Sequence, residues 1–177
     1  MKIIVWNSQD KCVADYHKLI RGCDVLCLLD CGQWTVPVYA LQIQNGLFHW
    51  KDEHEGLSYD IFYCLEKVAF ICRDGLYSGE SVLYSIHSNI GSLVGIRLQD
   101  DFWLFANHES NRSNACHIGE FWAQETIGGL YCIAPPKGYH PHTINYLFTI
   151  HVACTDFYLL EGYSRASNQP TFFKLEI

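Results

Sequence analysis

The chain has 177 residues, 49% of them apolar and 18% charged, which excludes an intrinsically disordered polypeptide and suffices for one core in a single domain over residues 1–177. Its formal net charge of −7, from 12 Lys and Arg against 19 Asp and Glu, excludes a general polyanion-binding surface, so contact with nucleic acid has to be local, through a metal or a small basic patch. No apolar run is long enough to span a bilayer, and the opening Met1 to Asn7 turns polar too soon for a secretion signal, so an intracellular, cytoplasmic protein with no membrane partner is expected.

The β-branched run from Lys2 to Trp6 predicts a strand ending at Asn7. Residues 14–20 have the apolar spacing of a short helix closed by Gly22, and Asp24 to Leu29 reads as a buried strand. Strand, helix, strand implies a parallel pair at the middle of a sheet. Beyond residue 36 the helical period fades, and strands are predicted over 38–44, 47–50, 57–65, 67–72, 81–87, 92–98 and 102–106, with turns at Gly56, Asp74-Gly75 and Asp100-Asp101. Residues 117–127 predict a second helix stopped by Gly128-Gly129, and four more strands are predicted over 130–134, 144–152, 156–160 and 171–176. Many strands with two helices fit either an all-β sandwich or an α+β sandwich with helices outside two packed sheets, and the parallel opening favours the second.

Nine cysteines, an odd count, do not read as a disulfide framework. Cys27, Cys64, Cys72 and Cys132 each sit inside an apolar run, where a free thiol packs as a small hydrophobe, which suits a reducing compartment. Cys23, Cys27 and Cys31 recur every four residues and would share one face of an extended strand, as core packing. His140, His142 and His151 have a spacing that admits zinc but also suits a solvated loop.

Five short segments in order carry a resemblance. They are Trp6-Asn7-Ser8-Gln9, the run from Asp24 to Gly32, Val94 to Leu98 followed by Asp101 to Asn111, Ile144 to Phe148, and Ser167 to Phe173. Together they resemble the endonuclease/exonuclease/phosphatase superfamily, and within it the deoxyribonuclease-I-like nuclease subunits of cytolethal distending toxins. The resemblance implies a four-layer α/β/β/α sandwich with shortened loops. It also implies a pocket in which a divalent metal on a carboxylate stabilises phosphate charge, while a His held by an Asp activates water.

Carried over residue by residue, the resemblance gives a remnant site of Asn7, Asp30 and His108. Asn7, His108 and Asn111 would contact phosphate, and Asp30, one methylene shorter than the family's Glu, would be a weakened Mg²⁺ ligand. Each also has a structural reading: Asn7 tying off a strand, Asp30 as a turn carboxylate before Gly32, His108 as a hydrogen-bonded strand end. Other positions are degenerate. Asn145 stands where the base-orienting Asp belongs, Asn168-Gln169 replaces the final Asp-His, and Ile133 to Gly138 lacks the family's second Asp and Asn. Gln takes no proton near neutral pH and Asn does not stabilise an imidazolium, so the inherited general-base step fails.

The expectation is therefore a pseudoenzyme that acts by binding a protein partner, as decoy, inhibitor or regulatory subunit of a nuclease or toxin system, with no cofactor. The alternative is an active Mg²⁺-dependent nuclease, phosphodiesterase or phosphatase with a rearranged site, acting on nucleic acid or a phosphorylated small molecule. In that case Asp156 or Glu161 would supply the missing acid, and His140, His142 or His151 the base.

Overall fold

A computed structural model of the chain describes residues 1–8, 16–29, 31–65, 68–85, 92–99, 102–107, 131–133, 147–149, 153–160 and 170–176. The opening forms β1 (Lys2–Asn7), the short helix α1 (Tyr16–Ile20) and β2 (Val25–Leu29). β1 and β2 pair in parallel from Ile3 opposite Val25 to Asn7 opposite Leu29. All five β2 residues are buried, as an apolar strand with neighbours on both edges and covered faces must be.

The chain then meanders through β3 (Leu41–Gln44), β4 (Leu47–His54), β5 (Leu57–Cys64) and β6 (Val68–Arg73), which docks antiparallel on β2. The β4–β5 hairpin turns on Glu55 and Gly56, at φ 51° and 76°; two successive left-handed residues match the right-handed strand twist, and glycine adopts the second without strain. β12 (Ala153–Leu159) and β13 (Thr171–Glu176) complete an eight-stranded sheet in the order β12-β13-β1-β2-β6-β5-β4-β3. A second sheet of five strands orders β10 (Tyr131–Ile133), β11 (Leu147–Thr149), β9 (Phe102–Asn107), β8 (Ser92–Leu98) and β7 (Tyr77–Ser85).

Strand alternation sorts the large sheet's side chains to two faces. Val25, Cys27, Leu29, Phe62, Phe70 and Phe173 point inward and pack with Val94, Ile96, Leu98, Leu104 and Ala106 of the second sheet. Leu26, Leu28, Ile61, Tyr63 and Ile71 point outward into a second cluster, sealed by Leu19 and Ile20 of α1 and by Trp34 and Val36 of the segment after β2. Each such aliphatic or aromatic side chain contributes about 1.5–3 kcal/mol on burial.

This architecture corrects the expected α/β/β/α sandwich. The described chain is two packed sheets, predominantly β, with five-residue α1 as the one helix among the described residues. The outer face of the large sheet is covered by that helix together with irregular chain, because the segment after β2 carries Trp34 and Pro37 and has no helical period. The second predicted helix, 117–127, lies outside the described residues. The three evenly spaced cysteines are a further correction: all are buried, but Cys27 points inward while Cys23 and Cys31 belong to the outer cluster. Cys23 and Cys31 lie beyond the ends of β2, where the alternation that would align them no longer holds.

No helix among the described residues is long and apolar enough to cross a membrane.

Candidate functional site

The parallel pairing of β1 and β2 brings their C-terminal ends to one edge of the sheet, the edge where open parallel sheets present ligand groups. Asn7 lies opposite Leu29, and the amide of Ser8 donates to the Leu29 carbonyl at 2.9 Å, so the ends of β1 and β2 run side by side. Ser8 is buried. Of the remaining residues expected at the pocket, Asp30, His108, Asn111, Asn145, Asn168 and Gln169 lie outside the described residues, as do His140, His142, His151 and Glu161. Asp156 is on β12 and exposed. The structure thus brings together the backbones of Asn7 and Leu29. Among the described residues no group of three or more His, Cys, Asp or Glu side chains is placed to hold a metal ion.

A polar cluster that the sequence reading missed sits at the inner edge of the β4–β5 hairpin. His49 Nε2 lies 2.8 Å from Asp60 Oδ1, and the buried Asp60 carboxylate also has Lys51 Nζ at 3.8 Å from Oδ2. Lys51 in turn pairs with Asp74, which holds the Asp74 carboxyl below its ordinary range. The His49 ring stacks on Phe62, centroids 4.5 Å apart and planes nearly parallel, with Tyr77 at 5.3 Å. A His–Asp pair has the form of an acid–base dyad, but the neighbouring thiol gives it no nucleophile. Cys72, opposite Asp60 on β6, is held well above its ordinary pKa, first by burial and then by the Asp60 charge. The cluster therefore satisfies a buried carboxylate. Its sequence signal was the hairpin register: Lys51 faces Asp60 directly, while His49, opposite Phe62, reaches it along the diagonal.

On the outer face, α1 is tied to the same hairpin. Tyr16 Oη donates to Asp52, His17 stacks on His54 with centroids 3.9 Å apart, and Arg21 pairs with Glu55. Burial, followed by the bond to Asp52, pushes the Tyr16 hydroxyl far above its ordinary range. Trp34 stacks on Tyr63 at 5.7 Å, and its indole Nε1 donates to the Cys31 carbonyl at 3.1 Å.

The remaining distinctive surface is the chain around β3. From Cys31 to Trp50 there is no Asp, Glu, Lys or Arg, in a protein of net charge −7. β3 ends the large sheet and is exposed at all four residues. Val38 (105%), Tyr39 (65%), Leu41 (67%) and Ile43 (36%) present apolar side chains to solvent in close succession. Register with β4 shifts between Gln42 and Gln44, so the segment offers side chains more than a regular strand edge. Comparison with family models, curated proteins and solved structures finds no match to this chain.

Proposed function

We propose that this protein acts by binding a protein partner through the segment from Val38 to Ile43. The observation that carries the reading is the run of four exposed apolar side chains on an uncharged stretch at the end of a sheet. Exposed apolar surface of this kind marks interaction sites. The partner that fits it presents an apolar, uncharged surface that covers Tyr39 and Leu41, since charged groups placed there would be desolvated without a counter-charge. A role as decoy, inhibitor or regulatory subunit follows from binding without turnover. Kinship with the nuclease subunit of cytolethal distending toxins is part of the proposal on the strength of the ordered sequence matches, and the replacements at Asn145, Asn168 and Gln169 support loss of catalysis within it. An intracellular setting belongs to the same reading, supported by the free, buried thiols of Cys23, Cys27 and Cys72.

A second reading, a Mg²⁺-dependent phosphoesterase with a rearranged site, is favoured by one observation: Asn7 ends β1 opposite Leu29, the last residue of β2 and the sequence neighbour of Asp30. In that reading Asp30 would be the metal ligand and Asn7 and His108 would contact phosphate.

The binding reading is tested by a photo-crosslinking residue at position 41 and, as a control, at exposed position 176. The expected result in host extract is one saturable adduct from position 41, competed by unlabelled protein, lost when Tyr39→Lys is added, and absent from position 176. Equal, unsaturable labelling from both positions would remove the reading's basis.

A further inference from the structure

A cleft of ≈ 470 Å³ opens on the outer face of the large sheet, lined by Arg21, Gly56, Leu57, Ser58, Tyr59, Arg73 and Asp74. Its size is in the range of small-ligand sites. Three elements build it. Arg21 follows α1, Gly56 and Leu57 come from the β4–β5 turn, and Arg73 ends β6 directly opposite Tyr59 of β5.

The two guanidinium groups decide what the cleft can hold. Arg73 is anchored from behind: its Nη2 donates to the Arg21 carbonyl at 3.1 Å, and Nη1 lies 3.6 Å from Asp24 Oδ1. A guanidinium has five N–H donors, and this one is 49% exposed, so donors are left for a ligand. The Arg21 guanidinium, 47% exposed, pairs with Glu55 at the surface, a type of pair that contributes little and exchanges readily for a better acceptor. Asp74, the one carboxylate of the lining, is already engaged by Lys51. Leu57 is half exposed and, with buried Tyr59, supplies the apolar part of the wall.

We propose that this cleft binds a small organic phosphate monoester, its dianion held between Arg21 and Arg73 and its organic group against Leu57 and Tyr59. Two guanidiniums match the double negative charge of a phosphate monoester at neutral pH, whereas one would serve a carboxylate. The volume exceeds that of a phosphate alone, which leaves room for the organic group. The acidic net charge disfavours a polyanion such as nucleic acid at this place. The cleft adjoins Asp24, at the start of β2, whereas Asn7 pairs with Leu29 at the far end of that five-residue strand, about 16 Å away. It is therefore a different place from the Asn7 edge, and it is independent of the partner-binding reading.

Calorimetric titration of the full chain with phenyl phosphate, benzoate and inorganic phosphate tests the assignment. Phenyl phosphate is expected to saturate one site and to bind roughly tenfold or more tighter than the other two. Arg21→Gln and Arg73→Lys should each weaken it by at least about tenfold, and Glu55→Gln should strengthen it by freeing Arg21. Arg73 also holds the Arg21 carbonyl, so Arg21→Gln, at a surface pair, is the decisive variant. No saturable heat, or an affinity unchanged in Arg21→Gln, would overturn the site. Inorganic phosphate binding as tightly as phenyl phosphate would overturn the organic part of the ligand.

Discussion

Stability is expected to fall steeply as pH rises above about 9, because several buried thiols cannot ionise in place. Burial pushes the Cys23 thiol from an ordinary 9.0 up to about 12, against a smaller opposing effect of backbone hydrogen bonds. Burial raises Cys27 and Cys72 as well, reinforced by Cys31 at the first and by Asp60 at the second. The sign follows from proton counting. Between the ordinary and the raised pKa the unfolded chain has lost the thiol proton and the folded chain retains it, so each further pH unit favours unfolding by about 1.4 kcal/mol per thiol. Cys23 alone accounts for about 4 kcal/mol between pH 9 and 12, against about 5–15 kcal/mol for a typical domain. Urea midpoints at pH 7.5, 9, 10 and 11 should be level below 9 and drop progressively above it, with a shallower drop in Cys23→Ala. A midpoint that stays flat to pH 11 would mean that these thiols are hydrated in the folded state.

Phe62→Ala is expected to cost about 3–5 kcal/mol, the range for deleting a fully buried ring. Phe62 lies between the sheets, stacked on His49 at 4.5 Å and tilted against Tyr77 at 4.6 Å. The cavity would therefore also loosen the imidazole that satisfies Asp60. Chemical denaturation at neutral pH measures the cost; Phe62→Leu, which keeps most of the volume, should lose about 1 kcal/mol, and exposed Glu176→Gln should stay within about 0.5 kcal/mol of wild type. A loss below about 1 kcal/mol in Phe62→Ala would place the ring outside the core.

Much of the strand map was legible in the sequence because side-chain alternation and turn chemistry are local. The run expected at 57–65 is β5 at Leu57–Cys64, the one expected at 92–98 is β8, and Asp74-Gly75 turns the chain with Gly75 at φ 84°. The parallel opening was legible too, since a helix between two apolar strands leaves few other connections. The outer layers were not. What covers a sheet depends on distant segments, and Trp34, in irregular chain that no helical period announces, helps seal the large sheet by stacking on Tyr63 and on Tyr16 of α1. The His49–Asp60 pair was missed for a similar reason: eleven residues apart in sequence, the two meet because of hairpin register. The exposed segment at β3 reads in the sequence as an ordinary strand over 38–44. Its lack of charge is visible there, but that it is the last strand of the sheet and exposed at all four residues is seen only in the fold.

The most direct test of the central claim, action by binding without turnover, is hydrolysis of plasmid DNA and of small phosphate esters by the purified protein. It is run with Mg²⁺, Mn²⁺ or EDTA, beside His108→Ala and Asp30→Ala. No metal-dependent product is expected from the folded protein, and no difference between wild type and either variant. Hydrolysis that requires metal and disappears in both variants would contradict the claim and establish the rearranged phosphoesterase instead.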